Sequence, residues 1–150
     1  MNKTKGGLIM EKIKFTVSIR INKPIEDVFN AFVDNSIITK YFTTGASAPI
    51  TKKGDKIQWN WGEHKTDIVI TEFTKNKSVE FDWPGYKVDY DTHVKFEFKE
   101  KDGSVIVYVT EENWKKDDAG INSALANNGG WTDMLKCMKA WVVYGVDLRK

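Results

Sequence analysis

From Ile13 to Ile21 apolar and polar residues alternate without a break. Ile13, Phe15, Val17, Ile19 and Ile21 fall in one phase, and Lys14, Thr16, Ser18 and Arg20 in the other. Successive side chains of an extended chain point to opposite faces, so this segment is a β-strand with one dry face and one wet face. Such a strand is not stable alone. It needs neighbours in a sheet and something to cover the dry face.

The rest of the chain supplies both. Ile57, Trp59 and Trp61 alternate with Gln58 and Asn60, and Val79, Phe81 and Trp83 alternate with Glu80 and Asp82. Val88 to Lys99 and Ser104 to Glu111 repeat the pattern around the hairpin signal Lys101-Asp102-Gly103. Lys65 to Phe73 is a strand with two possible faces, and Ala46 to Ile50, which carries Pro49, is a weak edge strand. Short turns between successive strands imply an antiparallel sheet. Two short helices are expected after the first strand. One is led by Pro24, capped by Asn22 or Lys23, and carries Ile25, Val28, Phe29 and Phe32; the other includes Ile37, Ile38, Tyr41 and Phe42. From Ile121 to Val146 the period changes to helical, with Trp131, Leu135, Met138 and Val142 on one stripe. Asn127-Asn128-Gly129-Gly130 is expected to bend or interrupt this helix, or to cap it. The resulting fold is α+β: a curved antiparallel sheet wrapped around a long C-terminal helix, with two short helices after strand one.

At 150 residues, 41% hydrophobic and 29% charged, the composition is that of a globular chain that can bury a sizeable core without staples. Residues 11–150 are expected to form a single domain, and residues 1–10 a flexible leader in which Met10 offers an alternative start. The leader has no apolar run of signal-peptide length, and no stretch suits a membrane-spanning helix. Charge is nearly balanced, 23 basic against 21 acidic residues, and the lysines are scattered, which argues against nucleic acid as partner. The lone cysteine, Cys137, excludes an internal disulfide and suits a cytoplasmic setting.

Six tryptophans are the main chemical resource. Trp59 and Trp61 share a strand face, so they either pack the core or wall a pocket. Tyr90, in phase with Val94 and Phe96, is expected to face inward. Met134 and Met138 on the long helix are either core or adaptable lining. His64 reads as a solvated turn histidine and His93 as a wet-face residue. No Cys–His set fits a metal, and Cys137 has no evident base. No metal, cofactor or catalytic residue is therefore assigned.

The motif order resembles the START-like, or SRPBCC, superfamily with its helix-grip fold, in the branch related to the C-terminal domain of the activator of Hsp90 ATPase. The likeness is carried by Ile21 to Phe32 (INKPIEDVFNAF), Ile37 to Phe42 (IITKYF), Lys53-Gly54-Asp55, Phe81-Asp82-Trp83 and Gly130 to Val142 (GWTDMLKCMKAWV). The resemblance implies a cavity between sheet and helix. Members of the superfamily bind lipids, sterols, polyketides or hormones there; some are cyclases or aromatases, and this branch includes a co-chaperone domain. The expected function is binding of a small hydrophobic molecule, lipid-like or aromatic. The expected lining is Trp59, Trp61, Trp83, Tyr90, Trp131, Met134 and Met138, with Phe29 and Tyr41 near the short helices. The alternatives are an interaction module for an Hsp90-type chaperone and an enzyme acting on a cavity-bound substrate.

Overall fold

A computed structural model describes residues 12–150, so the expected leader lies outside the described residues. Seven strands form one antiparallel sheet: β1 (Lys12–Ile21), β2 (Gly45–Ala46), β3 (Lys56–Trp61), β4 (His64–Thr74), β5 (Ser78–Pro84), β6 (Asp91–Lys101) and β7 (Ser104–Lys115). Their spatial order is β1-β7-β6-β5-β4-β3-β2. Strands two to seven are joined to their neighbours in sequence, and only the pairing of β1 with β7 is non-local. Two short helices, α1 (Ile25–Val33) and α2 (Asn35–Ile38), carry the chain from the β1 edge to the β2 edge. The last helix, α3 (Asp118–Tyr144), packs on β1 and β7.

The alternation read from the sequence sets which face is buried. Ile21, Val105, Val107, Val109, Val94, Phe96, Phe81 and Ile70 face the interior and are at most 1% exposed. The cover comes from α1 and α3. Phe32 of α1 stacks on Phe96 at 4.0 Å, and Trp131, Met134, Leu135 and Met138 of α3 are buried.

Several boundaries differ from the sequence reading, each for a local reason. Pro24 occupies the N-cap of α1 rather than its first turn, without a side-chain cap. Its carbonyl accepts from Asp27 and Val28 N–H. The edge strand is only Gly45–Ala46, because Ile50 turns into the core and donates its N–H to Val33. β6 starts at Asp91, since Gly85 N–H bonds to Tyr90 O and closes residues 85–90 into a loop. α3 starts three residues early, capped by Asp117, whose carboxylate accepts from Gly120 N–H at 2.8 Å. It runs unbroken through Asn127 to Gly130 and ends at Gly145, which takes a left-handed conformation (φ 67°). Burial of residues on both sides, Ser123 and Ala124 before and Trp131 to Met138 after, holds weak helix formers in a helix they would not form alone.

Candidate functional site

One carboxylate breaks the apolar phase of β7. Val105, Val107 and Val109 point inward, and Glu111 continues the same phase with 0% exposure. Four donors converge on it. Trp131 Nε1 and Asn127 Nδ2 donate to Oε1 at 2.8 and 3.0 Å, and Thr92 Oγ1 and Trp83 Nε1 donate to Oε2 at 2.6 and 2.9 Å. None of the ion pairs among the described residues includes Glu111. It is a buried anionic acceptor held by neutral donors from β5, β6 and α3.

This cluster fixes two of the rings that line a pocket between α3 and the β3–β5 end of the sheet. The pocket holds about 140 Å³ and is lined by Phe42, Trp61, Trp83, Asn127, Gly130 and Trp131. Each position follows from local geometry. Asn127 and Trp131 are one helical turn apart and share a face. Trp61 and Trp83 end the inward phases of β3 and β5. Trp61 Nε1 donates to Phe42 O at 2.9 Å, which ties the turn after α2 to β3. The rings are in mutual contact: Trp83 and Trp131 centroids lie 5.3 Å apart, Phe42 and Trp61 5.2 Å, and Phe42 and Trp131 5.7 Å. Trp59 lies beneath, edge-on to Phe42, Trp61 and Trp83. A groove of about 340 Å³ adjoins the pocket, shares Trp61, Trp83 and Asn127 with it, and reaches His64, Lys65 and Lys87.

The expected lining residues divide sharply. Trp61, Trp83 and Trp131 line the pocket. Trp59, Met134 and Met138 are packed core, at most 2% exposed. Phe29 lies in an aromatic cluster with Phe73 and Phe98, with edge-on contacts at 5.7 and 5.1 Å. Tyr41 is buried and donates its hydroxyl to Ala31 O at 2.9 Å. Burial, with a smaller contribution from nearby Cys137, pushes its phenol well above the ordinary tyrosine range. Tyr90 does not face inward: it closes the 85–90 loop, accepts from Lys115 N–H at 2.9 Å, and lies under the ammonium groups of Lys12 and Lys115. Most of the space expected between sheet and helix is thus filled by the protein's own rings. His64 is exposed beside Trp61, but as the first residue of β4, paired with Trp61, rather than in the turn. His93 sits on the outer face between Asp82 (2.6 Å) and Glu80 (2.8 Å). No group of metal-ligating residues occurs among the described residues.

Sequence reasoning missed Glu111, Asn127, Phe42 and Gly130. A signal for Glu111 existed, since a charged residue in the apolar phase of a strand requires buried partners.

Comparison with known proteins gives a consistent picture. The sequence profile of the family described as Activator of Hsp90 ATPase homolog 1-like protein matches residues 22–142. No curated protein matches. Among solved structures, the chain is similar to the protein SSP2350 from Staphylococcus saprophyticus, with 25% identity and TM-score 0.79 over 91% of this chain and 96% of that one. It is also similar to Aha1 from Colwellia psychrerythraea, solved as a dimer in solution (19% identity, TM-score 0.77, 89% and 98% covered). A third is DynU16, described as a putative protein in the dynemicin biosynthetic locus (17% identity, TM-score 0.78), where 88% of this chain covers 48% of that one. Among the described residues no helix is long and apolar enough to cross a membrane.

Proposed function

The chain belongs to the Activator of Hsp90 ATPase homolog 1-like family, and from that premise we propose that it binds a small apolar molecule in the ring-lined pocket between α3 and the β3–β5 rim. The observation that carries this reading is the pocket itself. Four of its six lining residues are aromatic, and the hydrogen bonds of Glu111 hold two of those rings in place. Rings fixed in this way lose little freedom when a ligand arrives. A dry cavity of about 150 Å³ holds benzene, so about 140 Å³ suits one ring or a compact branched group. A full lipid chain needs more room than the packed interior leaves. Binding is favoured over catalysis because both oxygens of Glu111 are taken by donors and, among the described residues, the lining includes no other acid or base. Cys137 is free and buried, in keeping with a cytoplasmic protein.

Gly130 supplies the control. A Cβ built there meets nothing within 4 Å, so a larger side chain enters the pocket without disturbing the helix backbone. Titration of ¹⁵N-labelled protein with toluene is expected to shift the indole resonances of Trp61, Trp83 and Trp131, and Gly130→Leu is expected to abolish the shifts. Unchanged spectra to the solubility limit of toluene, or equal binding by Gly130→Leu, would refute the reading.

A further inference from the structure

The pocket is built for positive charge as well as for apolar surface. The indole N–H groups of Trp83 and Trp131 bond to Glu111, and that of Trp61 bonds to a backbone carbonyl. All three indole N–H groups of the lining are therefore engaged within the protein, and the lining consists of four rings with Asn127 and Gly130. Aromatic faces carry the negative end of the ring quadrupole. Two of these rings donate to an anion, which polarises them further in the same sense. The Glu111 carboxylate is fully buried and bonded to three lining side chains, Trp83, Asn127 and Trp131, so its field is weakly screened. Among the described residues, the lysine–aromatic contacts involve Tyr86, Tyr90 and Tyr108, and none involves a ring of this pocket.

We propose that the pocket is an aromatic cage for the methylated ammonium group of a small organic cation. The proposal rests on the binding reading above and names the chemistry of the occupant. Methylation follows from the hydrogen-bond inventory. A primary ammonium brings three N–H donors, whereas Glu111 already accepts from four donors, the rings accept none well, and the lining offers one other side-chain acceptor, Asn127 Oδ1. Such a group would have at most one of its three donors satisfied by a lining side chain. A trimethylammonium group has no N–H, presents methyl surface to the rings, and keeps its charge for the faces and for Glu111. Its bulk is close to that of a single ring, which the cavity of about 140 Å³ admits. The adjoining groove carries Lys65 and Lys87, so the remainder of the molecule is neutral or anionic.

The test compares two ligands of the same shape. Choline and 3,3-dimethylbutan-1-ol differ in that the cationic nitrogen is replaced by carbon. Calorimetric titration of the intact chain is expected to show choline binding about ten-fold tighter or more, the scale of a desolvated cation–π contact. Protein made with 5-fluorotryptophan, which withdraws charge from the ring faces without changing the fold, is expected to bind choline several-fold more weakly and the alcohol unchanged. Equal or tighter binding of the alcohol overturns the cation assignment while leaving the apolar-pocket reading intact. Choline affinity unaffected by fluorination also overturns it. If neither ligand binds, the cage is refuted, and the toluene titration reports separately on the pocket.

Discussion

Glu111→Ala removes one acceptor and leaves four donors behind. Thr92 and Trp131 are 1% and 3% exposed, so their donors have no water to turn to. Trp83 and Asn127 are half-buried at the pocket and can recover a solvent partner. A stranded buried donor costs about 1–3 kcal/mol, so two of them cost about 2–6. Relief of the carboxylate's own desolvation acts in the opposite direction, at several kcal/mol for a buried ion. Counted instead as bonds to a charged acceptor, at about 1.5–3 kcal/mol net each, the two that no solvent replaces come to about 3–6 kcal/mol. The expected loss is about 3–4 kcal/mol, a large part of the 5–15 kcal/mol that holds a typical domain together. Urea unfolding at neutral pH, followed by tryptophan fluorescence, measures it through the midpoint at unchanged slope. Glu111→Gln should fall between, since one carbonyl survives and the new amide faces donors. A Glu111→Ala protein within about 0.5 kcal/mol of the parent would refute the view that this carboxylate anchors the rings.

Two glycines of α3 are expected to respond in opposite ways to the same change. Gly130→Ala finds open space and should stabilise the helix by up to about 1 kcal/mol while narrowing the pocket. Gly120→Ala drives its Cβ into the Lys115 carbonyl oxygen and should destabilise by about 1–3 kcal/mol, both read by thermal unfolding. His93 should make stability depend on pH. Burial disfavours its charged form, but hydrogen bonds and charge from Asp82 and Glu80 more than compensate, so its pKa is raised. Protonation is therefore tighter in the folded state. The stabilisation is complete below the ordinary histidine value of about 6.5 and fades as pH rises through the raised folded value. His93→Gln should accordingly lose more stability at pH 5.5 than at pH 9, and a constant difference across that range would count against the ion-pair assignment.

The pattern of one-sided strands followed by a long helix was legible because strand and helix periods are local. Ile13 to Ile21 must alternate faces whatever lies beside them. The order of elements therefore followed from the residues, as did the inward phases of Trp61, Trp83 and Trp131. Local signals failed where neighbours outvote propensity. Asn127 to Gly130 read as a bend, yet packing on either side holds those residues in a continuous helix. Tyr90 read as interior because the alternation of β6 was extended backward into a loop that Gly85 closes.

Strand and helix periodicity alone places rings on the inner surface of a sheet under a helix. It could not determine how much space those rings would leave, because packing density depends on the whole set of neighbours at once. Only the tertiary structure brought Trp83, Thr92, Asn127 and Trp131 onto one carboxylate. These residues lie on separate elements, and no local pattern encodes their meeting. Glu111 is acceptable in the core because that meeting occurs, and the small pocket beside it is what the packing leaves over.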